Sequence, residues 1–301
     1  MPRRLLLPLV VLPAAAMLRA QEAEPPAIVV ESEKPRSEQA LTDLARDIAG
    51  HPRSRRPLAR FEQPLCLMVA AADTALAQEV AKRIIDNAKG AQVPVRGNGC
   101  TPNALLALSD DAHAQLRAIR ASGRRLFAGL SARDIDAALG ARDPVYVFQA
   151  SKVTSATGPA IVASPEAGGS GGIPGPQNQI WSAGRLKREI REDMLAALVV
   201  VDNAAVAGLT PMQIADYASL RLLAPTGEVD AAEAGAPRTI MTLFVAPQTA
   251  PAALTRFDRA YLKALYRLPT GSFASEVLRA AVLETARGEA APEDRATKAG
   301  D

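Results

Sequence analysis

The chain has 301 residues, with 35 lysines and arginines against 32 aspartates and glutamates and only 4% aromatics. Three arginines and no acids fall within residues 1–20, so the rest carries 32 charges of each sign. A neutral chain poor in aromatic rings lacks both the electrostatic footprint and the stacking surface of a nucleic-acid binder.

Met1–Ala20 has a basic head at Arg3 and Arg4, an apolar run from Leu5 to Leu18, and small residues near its end. That pattern is a secretory signal cut after about Ala20, and it predicts a periplasmic or extracellular protein. A retained membrane anchor is the alternative, but no stop-transfer pattern follows. The longest later apolar run, Met194–Val201, is far too short to span a bilayer, so no membrane span is expected after cleavage. Residues 21–60 read as an extended arm and a basic loop, 61–287 as one α+β domain, and 288–301 as a polar tail. The 48% hydrophobic content supplies that domain with a core.

Within the arm, Leu41–Gly50 is apolar at Leu41, Leu44, Ala45 and Ile48, a helical spacing closed by glycine. His51–Arg60 is rich in arginine (Arg53, Arg55, Arg56, Arg60) and reads either as a solvated loop or as a surface for anionic envelope polymers. Pro64–Ala71 reads as a buried strand, Thr74–Gly90 as a helix capped by Thr74, and Pro102–Leu108 as a second strand. The chain's two cysteines, Cys66 and Cys100, flank this segment. In an oxidising compartment an even pair reads as a disulfide, tying the first strand to the start of the second; two free thiols are the alternative.

Ser109 or Asp110 is expected to cap a helix running to about Phe127, followed by a short helix over Ser131–Leu139. The Asp110-Asp111 pair is explained by capping better than by metal binding. Val145–Val153 and Pro159–Ala163 read as a hairpin turning at Thr154–Gly158. Residues 164–178 are loop by composition. Gly168-Gly169-Ser170-Gly171-Gly172 within them fits G-x-S-x-G, but its Gly and Pro flanks supply neither the strand nor the helix that a nucleophile elbow needs. Arg185–Asp193 reads as a charged helix and Leu195–Val201 as a buried strand. Thr210, Pro211 and Gln213 open a helix with a capping box, carrying Ile214, Ala215, Ala218 and Leu222 on one face. Thr255 and Asp258 open another, stopped by Pro269, and Ser275–Arg287 is the last.

The order from Leu195 to Leu268 resembles the catalytic half of zincin metalloproteases: LAALVVVD as a strand, TPMQIADYASLRLLA as the ligand helix, RTIMTLF as a methionine turn, and LTRFDRAYLKALYRLP as the closing helix. The resemblance covers about a quarter of the chain. The overall layout is also similar to that of secreted proteins of high-GC proteobacteria. What the resemblance implies is a small twisted mixed sheet packed by helices, zincin-like, in a single domain.

Zincin chemistry needs H-E-x-x-H, two imidazoles one helical turn apart with a glutamate to activate water. Here Asp216 falls at the first histidine, Tyr217 at the glutamate and Leu220 at the second histidine. The two histidines of the chain, His51 and His113, lie elsewhere and read as surface residues. The resemblance therefore implies a scaffold without zinc or other cofactor, with Asp216, Tyr217, Leu220, Arg221 and Met241 marking a vestigial cleft. The leading expectation is a non-enzymatic exported protein whose partner is an unknown protein or envelope component. A hydrolase with an unrecognised site is the alternative.

Overall fold

The computed structural model describes residues 38–97, 99–123, 127, 132–156, 162–163, 176–177, 190–230 and 236–289, all within a unit spanning 35–301. The expected signal, the arm to residue 37, the Gly168–Gly172 stretch and the tail beyond residue 289 lie outside the described residues.

Strand composition sets the layers. β2 (Ala104–Ser109) reads ALLALS and is buried on both faces from Ala104 to Leu108, as a central parallel strand must be. On one side of it lies β1 (Leu67–Ala70), also parallel, with Leu67 opposite Ala104. On the other lies β6 (Ile190–Asp202), parallel again, with Ala104 opposite Ala197. β3 (Val145–Ser155) closes that side antiparallel to β6, with Val145 opposite Val201, giving the order β1-β2-β6-β3. The mixed sheet packed by helices expected from the sequence is present.

Alternation with period two divides the apolar side chains between two cores. Leu106, Leu108, Ala197, Val199 and Val201 face the larger one, against α2 (Thr74–Gly90), α5 (Pro211–Leu223), α6 (Arg256–Arg267), α7 (Ala274–Glu289) and α1 (Glu38–Ile48). Leu105, Ala107, Leu198, Val200, Tyr146 and Phe148 face the smaller, under α3 (Ala112–Ala121) and α4 (Ala132–Gly140).

Cys66 and Cys100 form a disulfide, with Cα atoms 6.0 Å apart. Beside it the Asn103 side chain accepts from Cys66 N (2.7 Å) and donates to Pro64 O (3.2 Å), fixing the entries to β1 and β2. Among the described residues no helix is long and apolar enough to cross a membrane. Both features are compatible with export.

Three expectations need correction. β3 does not turn at Thr154: it runs to Ser155 and stays paired with β6 past a register shift between Ala150 and Ser151, and it buries Thr154 and Ser155 although exposed Lys152 breaks the alternation. Val162–Ala163 (β4) pairs instead with Pro176–Gln177 (β5). Residues 190–193 of the expected charged helix belong to β6, where Glu192 accepts from Ser151 Oγ (2.6 Å) and Asp193 pairs with Arg191 (2.7 Å); charges satisfied across strands mimic a solvated helix in sequence. Caps also shift by a residue or two. Asp73 caps α2, accepting from Ala75 N (2.8 Å), and Asp111 caps α3, accepting from Ala114 N (2.8 Å).

Candidate functional site

The residues singled out from the sequence as a possible cleft sit on α5 and in the 3-10 helix Ile240–Phe244. α5 starts as its sequence dictates. Thr210 Oγ1 accepts from Gln213 N (3.2 Å), the Gln213 side chain accepts from Thr210 N (3.1 Å), and Pro211 occupies the first turn, where no N–H is needed. From Ile214 to Leu223 every residue of the helix is buried. A helix buried all round must satisfy its polar side chains internally.

Asp216, fully buried, does so completely. Oδ1 accepts from Arg83 Nε (2.7 Å) and Asn87 Nδ2 (2.7 Å); Oδ2 accepts from Arg83 Nη2 (2.8 Å) and Leu254 N (2.6 Å). Four donors fill the four lone-pair positions of a carboxylate. Asn87 also donates to Ser219 Oγ (2.9 Å), which donates to Ala215 O (2.7 Å). The two-pronged hydrogen bond to Asp216 raises the Arg83 pKa above its ordinary value. Asp216 thus joins α2, α5 and Leu254, the residue before the cap of α6.

Tyr217 and Arg221 form a second joint. Arg221 Nε donates to Tyr217 Oη (3.0 Å), Nη1 to Gly227 O (2.9 Å), and Nη2 pairs with Glu228 (3.2 Å). The Tyr217 ring meets Phe244 edge-on, with centroids 4.7 Å apart. Burial pushes the Tyr217 hydroxyl pKa up, against the opposing pull of Arg221. Gln149 on β3 donates to the carbonyls of Arg221 (2.5 Å) and Ala224 (2.6 Å), closing the C-terminal end of the helix.

Leu220 and Met241 lie in the larger apolar core, 0% and 2% exposed. The 3-10 helix is locked to α6 by Asp258, which accepts from Thr239 Oγ1 (2.6 Å), Ile240 N (3.0 Å) and Thr255 N (2.8 Å). Burial raises the Asp258 pKa, and those three donors oppose the shift. Asp216, Tyr217, Leu220, Arg221 and Met241 therefore lie in packed interior rather than along a cleft. Sequence reasoning missed Arg83, Asn87, Ser219 and the Leu254 amide. One indication was available: an acid on an apolar helix requires a buried donor set, and Arg83 and Asn87 stand one turn apart on the same face of α2.

The histidines are elsewhere. His51 is exposed, 3.4 Å from Asp47. His113 is half-buried rather than a plain surface residue. Its Nε2 lies 2.7 Å from Leu139 O, so Nε2 carries the proton, while Nδ1 is buried with no hydrogen-bond partner. Asp111 is used as a cap, and Asp110 accepts from Asn203 (2.6 Å). Among the described residues no group of three or more His, Cys, Asp or Glu side chains is placed to hold a metal.

Cavities open away from α5. One of about 430 Å³ lies between α1, the loop at His51–Ser54 and α7; one of about 380 Å³ lies on the other side of that loop; one of about 540 Å³ is lined by Asp111, His113, Tyr146 and Asp202. None of the five vestigial-cleft residues lines any of these three.

The basic loop itself divides. Arg53, Arg55 and Arg56 are exposed, whereas Arg60 is largely buried, pairing with Glu62 (2.7 Å), donating to Leu265 O (2.9 Å) and Leu268 O (2.8 Å), and meeting Thr270. No protein family, curated protein or solved structure matches this chain.

Proposed function

We propose that the chain is an exported, non-enzymatic protein on a degenerate zincin-like scaffold, acting at the envelope or outside the cell by binding a protein or envelope component. The succession of β6, α5, methionine-bearing 3-10 helix and α6 supports the scaffold reading. The disulfide and the signal-like Met1–Ala20 support export.

The observation that carries the non-enzymatic reading is the saturation of Asp216. The position that would hold the first metal ligand accepts four hydrogen bonds, and the second is a leucine in the core. A catalytic zinc ordinarily takes three protein ligands and keeps one position open, and this helix offers neither. The hydrolase alternative would look to the cavity at the ends of β2 and β6, where open α/β sheets bind ligands. There the His113 Nε2 proton is held by Leu139 O and Nδ1 is shut off from solvent, so the imidazole is a poor general base.

The test is metal analysis and peptide-library cleavage on protein purified without chelator. The expected outcome is zinc far below one equivalent and no chelator-sensitive cleavage. About one zinc per chain, with activity lost on chelation, would overturn the proposal.

A further inference from the structure

The cavity of about 430 Å³ has a polarity of its own. One wall is the face of α1 that carries Glu38, Thr42 and Arg46, four residues apart and therefore aligned along about 12 Å of helix. The floor and opposite wall come from α7, where Ala274, Leu278 and Val282 repeat at the same spacing and are buried. The loop at His51–Ser54 closes one end.

That loop is built rigidly. Gly50 (φ +70°) and His51 (φ +51°) turn the chain out of α1 through two successive left-handed residues. Gly50 packs so closely on Gly227 that a Cβ at Gly227 would lie 2.5 Å from Gly50 Cα. Farther on, Ser54 O accepts from Ser275 N (3.2 Å) and Ser275 Oγ (3.0 Å), and Arg56 O accepts from Ala274 N (2.8 Å).

These bonds put the start of α7 and the end of α1 together at the loop. Arg46 therefore stands at that end beside the His51 imidazole on the rim, with Arg279 one turn and a residue along α7. Glu38 lines the opposite end. Arg46 has a loose contact to Asp43 (3.6 Å) and His51 to Asp47 (3.4 Å), both exposed and weak; Asp43 and Asp47 do not line the cavity. No carboxylate among the described residues pairs with Arg279. Its volume falls in the range of small-molecule sites, with an apolar floor and a few charged groups at the rim.

From this juxtaposition of an apolar floor, a cationic end and an acidic far end, we infer that the cavity between α1, α7 and the His51–Ser54 loop binds a single-chain amphiphilic anion of the alkyl-carboxylate class. The head group sits by Arg46 and Arg279, and the aliphatic chain lies over Leu278 and Val282. An acidic peptide fits less well, because the cavity is short and Glu38 stands at its far end. No lining residue belongs to α5, so this site stands or falls independently of the metal assay.

Calorimetric titration of the protein with decanoate below its micellar range tests it, with acetate and the uncharged amphiphile octyl glucoside as separate arms. Decanoate is expected to bind at least about tenfold more tightly than either, a difference of about 1.4 kcal/mol. Added salt should weaken decanoate binding. R46Q/R279Q, which alters two exposed side chains, should weaken decanoate at least about tenfold, by removal of charged hydrogen-bond partners. Thr42→Phe, which fills the wall without touching the cations, should abolish binding. Decanoate binding no better than acetate or octyl glucoside, or binding unchanged in either variant, would overturn the assignment.

Discussion

Two sets of arginines lie on opposite sides of the same distinction. Arg83 and Arg221, at α5, have partners at every turn: Asp216, Tyr217, Gly227 O and Glu228. Arg53, Arg55, Arg56 and Arg279, around the His51–Ser54 loop and α7, are exposed and pair with no carboxylate among the described residues. Where the sequence pattern suggested a cleft, charge is used up in tying α5 to α2 and to the segment that follows it. Where sequence offered only a basic loop, charge is left facing solvent beside a cavity. A buried charge without a partner is too costly to keep, so interior polar residues report on architecture; an exposed cation without a partner costs little and remains available to a ligand.

Substitutions should separate the two regions by size of effect. Asp216→Ala is expected to cost most, about 3 kcal/mol in a denaturant titration. It strands the Leu254 amide and the Asn87 side chain in the interior, while Arg83, a third exposed, can partly turn to water. A cost under about 0.5 kcal/mol would place Asp216 in a surface-like setting and erase the contrast.

Asp258→Asn is expected to follow, at about 2 kcal/mol, since an amide cannot accept all three of the bonds that the carboxylate accepts. Its pH dependence has a definite sign. Burial raises the folded-state pKa of Asp258, so the folded protein holds that proton more tightly than the unfolded chain. The stability from Asp258 is then fully present below the unfolded value of about 4 and falls as pH rises through the folded value. Because asparagine does not titrate, the deficit of the variant should be larger at acid pH than at neutrality. A deficit that grows with pH would contradict the burial argument.

Thr210→Ala, which removes one half of the capping box, should cost about 1 kcal/mol, read as a lowered denaturation midpoint. Arg55→Gln, on the exposed loop, should change stability by less than about 0.5 kcal/mol. A large loss there would mean that the loop arginines are structural after all.

The sequence made the layers legible, because period-two strands and capped helices are local patterns. β2 and the apolar half of β6 were readable from their continuous apolar runs, and α5 and α6 from the Thr210–Gln213 and Thr255–Asp258 capping boxes. The cysteine pair was readable by count and compartment. The charged half of β6 was not, because Arg191 pairs with Asp193 and meets Thr154 on β3, while Glu192 accepts from Ser151 across the sheet, which no spacing reveals. Nor was the site legible. Asp216 was identifiable as an acid on an apolar helix, but its partners lie 129 and 133 residues away on α2. The cavity beside α7 depends on the docking of α1 on α7, a contact between segments more than 200 residues apart in sequence. Arg60 shows the same limit: it looks like its neighbours in the basic loop, yet carbonyls more than 200 residues distant draw it inside.

The double-mutant cycle of Arg83→Ala and Asp216→Ala, read by equilibrium denaturation, tests most directly whether the α5 position is an interior joint. Strong coupling is expected: each single change should remove much of the stability that the pair of changes removes, with an interaction energy of at least about 1 kcal/mol. Additive effects, or a single Asp216→Ala change that stabilises the fold as the loss of a residue kept for catalysis often does, would contradict the joint and restore the cleft.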